Sequence, residues 1–481
     1  MAMKEISGSV TAPQGFLASG VFCDIKRLGT GKGSNKGKKR DLALIVSEVP
    51  ATVAGLFTTN QVCAAPVKVC LKHVKQGTAR AIVVNSGNAN ACTGKQGLKD
   101  AFEMARIAAP AIAAHLDSEP APALPGERQP FRDRRHRIRG EHVLVASTGR
   151  IGVTLPMANV KRGILAAATA LNHSAEKARH VAESIMTSDT QPKEIAVEFN
   201  VNRKLVRIGG VCKGAGMIQP GMSLTGQRPA AAPLHATMLC FITTDAAIEP
   251  GAIRIALNEA VAQSFNRITV DGDMSTNDTV LVLANGLAGN EQIKTADFRR
   301  LIPSNPQSAI RNRRSDAAAQ FQAALNHVCL ELAKMIVRDG EGVSRFVTVR
   351  VNGAKSFAEA DAAARAVANS ALVKTSWNGG DPNWGRIIDA LGYSAATVVE
   401  DKVDIAYSAP GSRNLLYSLK RGQPTRTSFK TLCAAVAAKE FDLHINLDLG
   451  RASAVIYAAD LTEEYVDFNK GDVSDPASLG G

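Results

Sequence analysis

Aromatic residues are scarce in this chain: Phe, Trp and Tyr together supply 5% of its 481 residues, with only two tryptophans. Acidic residues are in deficit too, 44 Asp and Glu against 57 Lys and Arg, which leaves a formal charge of +13. Such a charge raises a nucleic-acid reading. Much of the excess, however, lies in three irregular stretches, 26–40, 127–140 and 311–314, with almost no aromatic side chain to stack on bases. Solvated loops account for them better. The first stretch is rich in Gly and Lys, but no glycine precedes a Gly-Lys pair by the five positions that a Walker-type phosphate loop needs.

Paired cysteines are also missing. Cys23, Cys63, Cys70, Cys92, Cys212, Cys240, Cys329 and Cys433 are scattered, without a C-x-x-C pair or neighbouring histidines, so neither a zinc site nor a disulfide framework is expected. No run of 18 apolar residues appears, and the opening MAMKEISGSV is too short and too acidic for a typical targeting peptide. The expectation is a cytoplasmic chain in a reducing compartment, away from membranes.

What is present is 45% apolar residues and 40 glycines over a length beyond one ordinary core, the profile of a large α/β body. Short β-branched runs alternate with Ala-rich amphipathic ones: AIVVN (81–85), a helical stretch at 98–116, HVLVA (142–146), a second helix at 174–185 and IAVEF (195–199). Further on, MLCFITT (238–244) and TVLVLA (279–284) read as strands on either side of a helix at 252–265. From Ser315, a candidate N-cap, Phe321, Leu325, Val328, Leu332 and Met335 recur at helical spacing, and His327 and Cys329 belong to that helix rather than to chemistry. FVTVRV (346–351) predicts a strand and 357–372 another helix. Asp117–Gly140, Gly221–His235 and Asn290–Arg314 lack periodicity and read as surface insertions.

Three groups of residues could carry chemistry. KGAGMIQP (213–220) is a loop whose glycines permit close approach, and after the insertion Ala236-Thr237 opens an apolar strand. A threonine hydroxyl needs a base. Cleaving the peptide bond before it would supply one, because the freed α-amine titrates at about 7.7–8.0. On the residues alone, an ordinary β-branched strand position explains Thr237 better. STGRIG (147–152) follows a strand, and its N–H groups with the Thr148 hydroxyl could receive a developing oxyanion, although an ordinary strand-to-helix turn would look the same. TSDTQPK (187–193), Lys213 and DGEGVSR (339–345) offer groups for a carboxylate, an amide and an ammonium, and salt bridges or caps would also use them.

Taken together, NSGNANACTG (85–94), VLVASTGRIG (143–152), KGAGMIQP, ATML, SFNRITVDGDMSTNDTV (264–280), DGEG (339–342) and DPNWGRI (381–387) appear in an order that closely resembles the bifunctional ornithine acetyltransferase and N-acetylglutamate synthase family. The resemblance spans nearly the whole chain. It implies a layered α/β/β/α-type sandwich of the self-processing DmpA/OAT-like kind, with surface insertions. It implies self-cleavage at Ala236-Thr237 into pieces 1–236 and 237–481 that stay together as one intertwined unit and pair further into a heterotetramer. Thr237 matches the nucleophile, and Thr148 and Gly149 match the oxyanion site. Thr187, Lys213, Thr237, Glu341, Asn469 and Ser474 match substrate-binding positions, the last two through YVDFNKGDVS (465–474).

The implied reaction is ping-pong acetyl transfer from N2-acetyl-L-ornithine to L-glutamate through an acetyl-threonine, within cyclic arginine biosynthesis, with no metal or organic cofactor. Acetyl-CoA stays open as a second donor. Family members run from the KGAGMI segment through a proline into the cleavage site, whereas here Gly221–His235 intervene. Two other readings stand beside this one: a related self-processing amidohydrolase or aminopeptidase, and an unprocessed basic binding protein.

Overall fold

The computed structural model describes residues 3–26, 39–118, 138–227, 238–301 and 317–470. Ala236, Thr237, Ser315 and Ser474 lie outside the described residues, as do most of the Asp117–Gly140 stretch and much of the other two insertions.

The β-branched runs become strands in chain order: β1 (Lys4–Ile6), β2 (Phe16–Val21), β3 (Leu42–Phe57), β4 (Thr78–Asn88), β5 (Val143–Arg150), β6 (Lys193–Val201), β7 (Lys204–Lys213) and β8 (Leu239–Thr244). After a short β9 (Ile268–Thr269) comes β10 (Thr279–Ala284). All of these but β9 form a nine-stranded mixed sheet in the order β1-β6-β7-β8-β10-β3-β4-β5, with β2 also on β3. Because side chains alternate along a strand, each strand serves two cores. Cys240, Ile242, Val280 and Val282 pack with Ile253, Leu257, Phe321, Leu325 and Val328 of the helices Pro250–Ala262 and Ala317–Arg338. Leu239, Phe241, Leu281 and Leu283 belong to a different core, shared with Val160, Ile164, Val181 and Ile185 of the helices Met157–Thr169 and Ala175–Ile185. Burying each such side chain contributes roughly 1.5–3 kcal/mol, so the sheet is held from both faces.

The remaining strands are β11 (Phe346–Ala354), β12 (Asp404–Ser408), β13 (Leu416–Lys420), β14 (Gln423–Pro424), β15 (Glu440–Asn446) and β16 (Ala452–Ala459). With β9 they make a second sheet in the order β14-β13-β12-β15-β11-β16-β9. Its core joins Val347, Val349 and Val351 to Ala363, Val367 and Trp377 of the helices above it. The architecture is a layered α/β sandwich of two mixed sheets and their helices.

Several expectations change in detail. The stretch after HVLVA is not a turn at once: β5 continues to Arg150, because Ser147, Thr148 and Gly149 pair with Asn85, Ser86 and Gly87 of β4. Part of the Asn290–Arg314 stretch is regular, a helix at Thr295–Leu301 whose Thr295 is bonded to Glu249 and whose Phe298 is buried. The helix expected to reach residue 372 ends at Asn369, where Ser370 breaks it and its hydroxyl caps the next helix, Ala371–Asn378. All eight cysteines are free. Among the described residues no helix is long and apolar enough to cross a membrane.

Candidate active site

The end of β7 and the start of β8 are held in antiparallel register, with Cys212 opposite Cys240 and Lys213 opposite Leu239. β10 lies parallel on the other side of β8, Thr279 opposite Leu239. The first described residue of this second segment, Met238, donates its N–H to the Asp278 carboxylate, while its carbonyl accepts the Thr279 N–H at 3.0 Å. Asp278 is wholly buried, and its second oxygen has no hydrogen-bond partner among the described residues. Burial pushes its carboxyl well above the usual carboxylate range.

Beyond Lys213 the chain turns sharply, with Gly214 at φ +150 and Met217 at φ +56. Asp271 pins the turn by accepting the N–H groups of Met217 and Ile218 at 2.6 and 2.8 Å. The Glu341 N–H reaches the Ala215 carbonyl at 2.9 Å. A Cβ on Gly216 would sit 2.3 Å from the Glu341 carboxyl, so the glycine is what lets that side chain lie across the loop. Asn469 donates to Glu341 at 3.0 Å, which brings the C-terminal helix Glu463–Phe468 to the same place.

Thr187 arrives through Asp189. The Asp189 carboxylate accepts the Thr187 N–H at 2.9 Å, the Gly214 N–H at 2.7 Å and the Lys193 ammonium at 2.6 Å. Lys213 Nζ lies 3.9 Å from its other face. Burial works against the Asp189 charge, but Lys213, Lys193 and the Gly214 N–H together outweigh it and hold the carboxyl well below the usual range. Lys193 turns its ammonium toward Asp339 as well. Lys213 is buried, and this brings it below the ordinary lysine range despite Asp189.

Thr148 and Gly149 sit at the far end of β5, both backed by β4. Gly149 takes φ +126, and a Cβ there would fall 2.4 Å from the Gly87 carbonyl carbon, so no larger residue fits. The neighbourhood is fixed by amides. Asn85 bridges the Ser147 hydroxyl and the Asn88 carbonyl at 2.6 and 2.9 Å, and Asn88 reaches the Val153 carbonyl at 3.0 Å. Asn277, the residue before Asp278, donates to the carbonyls of Ala89 and Ser147 at 2.7 and 2.8 Å. One dipeptide therefore clamps the strand beside Thr148 with Asn277 and the strand that opens at Met238 with Asp278. The Lys26 backbone lies against Gly87, its Cα 2.5 Å from where a Cβ on that glycine would sit, and its ammonium feels the charges of Asp189 and Lys213. Burial lowers its ammonium to about 8.

Thr187, Lys213, Glu341 and Asn469 are thus gathered around one loop, with Thr148 and Gly149 joined to them through Asn277, Asp278 and Lys26. The sequence reading missed Asp189, Lys193, Asn277, Asp278 and Lys26. Four of these lie within segments quoted for the resemblance or for their polar residues, but their roles depend on partners far along the chain. Lys26 opens the basic stretch 26–40, whose composition signals a solvated loop rather than a site.

The profile of the ArgJ family matches residues 27–471. An arginine biosynthesis bifunctional protein ArgJ from Symbiobacterium thermophilum is 43% identical over 467 residues, covering 97% of this chain and 99% of that one. A glutamate N-acetyltransferase from Methanocaldococcus jannaschii is 40% identical over 472 residues, again 97% and 99%. A solved ornithine acetyltransferase from Mycobacterium tuberculosis, complexed with ornithine, is 33% identical, covering 46% of this chain and 100% of that one with a TM-score of 0.38.

Proposed function

The chain belongs to the ArgJ family, and on that premise we propose that it is split before Thr237 and that the freed threonine carries acetyl groups from N2-acetylornithine to glutamate. It is an acyltransferase of arginine biosynthesis. In the proposed first half-reaction the Thr237 hydroxyl attacks the acetyl carbonyl and its proton passes to the threonine's own α-amine. The oxygen that becomes negative is received by the Thr148 hydroxyl and the Gly149 N–H. The amide C–N bond then breaks, the proton goes to the departing amine, and ornithine leaves. Glutamate's amine attacks the acetyl-threonine ester in turn, which restores the hydroxyl. No step calls on a metal or organic cofactor, and acetyl-CoA could load the same threonine from a thioester.

The observation that carries this reading is the sheet register. Lys213, a buried cation suited to a substrate carboxylate, is paired with Leu239, at the start of the strand that follows Ala236-Thr237 in the sequence. Glu341, which lies against the loop after Lys213, and Asn469, which donates to it, suit the amino-acid ammonium. Strand order supports association after splitting: β8 and β10, from the second piece, lie between β7 and β3, from the first. Two such pairs would form the heterotetramer.

The test is the intact mass of the purified protein under denaturing conditions, with N-terminal sequencing and an acetylornithine-to-glutamate assay. Two chains, the second beginning Thr-Met-Leu-Cys, together with acetyl transfer are expected. Hydrolysis of acetylornithine without acetylglutamate would favour the amidohydrolase reading, and an uncut chain without transfer would overturn the proposal.

A further inference from the structure

Four buried or half-buried charges run in alternation through the sheet end: Asp339, Lys193, Asp189 and Lys213. Asp339 sits just past the helix Ala317–Arg338, where it also accepts the Thr190 N–H at 3.1 Å. Lys193 opens β6 and Lys213 ends β7, and these two strands are paired. The Asp189 side chain, with no exposed surface, stands at the centre and serves three elements at once. A buried carboxylate with this many partners is not needed to hold a hairpin whose strands are already paired from Lys193–Cys212 to Val201–Lys204.

Resting on the reading above, we propose that Asp189 is the positioning residue of the substrate site, holding the Thr187 and Gly214 backbones in one constellation and keeping Lys213 charged to receive a substrate carboxylate. The geometry divides the labour. Lys193 and the Gly214 N–H share one Asp189 oxygen at 2.6 and 2.7 Å, while Lys213 stands off from the other at 3.9 Å. That distance leaves the Lys213 ammonium favoured by Asp189 but not consumed by it. The groups facing Lys213 are Asp189, Glu341 and Asp278, which favour its charge, and Lys193 and Lys26, which oppose it. Burial opposes it most, and Asp189 is the foremost of the charges that act for it. Without Asp189, the lysine should shed its proton at lower pH. Substrate affinity would then begin to decline at a lower pH than in the wild type.

The experiment compares wild type with Asp189→Asn, which keeps the shape and one acceptor oxygen. The Michaelis constants for acetylornithine and glutamate should rise by about tenfold or more, the worth of a charge-assisted contact, while kcat changes little. The rise should grow with pH. Asp339→Asn, at the half-buried outer end, should give a smaller rise with the same pH trend, because Lys193 would then draw Asp189 away from Lys213. This second variant decides the matter if Asp189→Asn fails to fold. Michaelis constants unchanged, or raised without any pH trend, in a folded and split variant would overturn the inference. A wild type that neither splits nor transfers acetyl groups would instead overturn the proposed function, so the two failures are told apart.

Discussion

At the Thr148–Gly149 end, the side chains that fix the backbone are the amides of Asn85, Asn88 and Asn277 and the Ser147 hydroxyl, whereas at the Thr187–Lys213 end they are Asp189, Lys193 and Asp339. On the proposed function, the difference matches what each end would meet. A substrate carboxylate or ammonium arrives already charged and is met best by an opposite charge held dry. An oxyanion exists only at the top of the barrier, and fixed neutral dipoles can await it without binding the ground state equally well. The amide end should therefore govern turnover, and the charged end should govern affinity and respond to pH.

The largest break lies upstream of both ends. Thr237→Ala should leave a single full-length chain without transferase activity, since in the proposed mechanism one hydroxyl serves cleavage and acyl transfer alike; mass spectrometry and the acetylornithine assay read the two losses separately. A variant that still split and turned over would remove Thr237 from the mechanism and with it the reason for comparing the ends. Next comes Thr148→Val, a change of the same size in a residue 1% exposed. Losing one oxyanion donor typically lowers turnover by about a hundredfold or more, so kcat should drop on that scale with both Michaelis constants held. A fall in kcat that varied steeply with pH would contradict the neutral character assigned to this end.

The fold was largely legible because its signals are local. The helix at 317–338 follows from Phe321, Leu325, Val328 and Leu332 at helical spacing, all fully buried, and β8 and β10 from unbroken apolar runs. β5 runs past the expected strand because pairing with β4, not its own residues, carries it through Gly149. The site was legible as a set of matched segments but not as a constellation. Asp189 lies beside Thr187 in a quoted segment, yet nothing in its spacing shows that it meets Gly214 and Lys213, which the chain brings back only along β7. Asn277 likewise takes its meaning from Ala89 and Ser147, at sequence separations that no periodicity can reveal.

Within the charged end, the contribution of Lys213 can be sharpened by Lys213→Met, which keeps an apolar stem in a buried position. A charge-assisted contact is worth about 1.5–3 kcal/mol, so the Michaelis constants should rise by about tenfold to a hundredfold with kcat little changed. In the wild type, burial has already lowered the lysine's range, so affinity should begin to fail at a pH below that of an ordinary lysine, as the ammonium is lost. Equal Michaelis constants for Lys213→Met and wild type would count against the lysine as the carboxylate's partner.

The smallest expected effect tests the glycine beneath Glu341. In Gly216→Ala the new Cβ would fall 2.3 Å from the Glu341 carboxyl, but the atoms in its way are the end of a flexible side chain on a half-buried residue, so the carboxyl can swing aside without unfolding the loop. The loop itself is pinned elsewhere, through Asp271 at Met217 and Ile218. What is lost is the placement of one partly solvated charge and its bond from Asn469. Such contacts are worth about 0.2–1 kcal/mol, so the Michaelis constants should rise by no more than about fivefold. Removing the carboxyl altogether in Glu341→Gln should cost at least as much, and combining it with Gly216→Ala should add nothing further, because the alanine acts only by displacing that carboxyl. An additive double variant would mean that Gly216 serves the loop's own backbone rather than the charge above it.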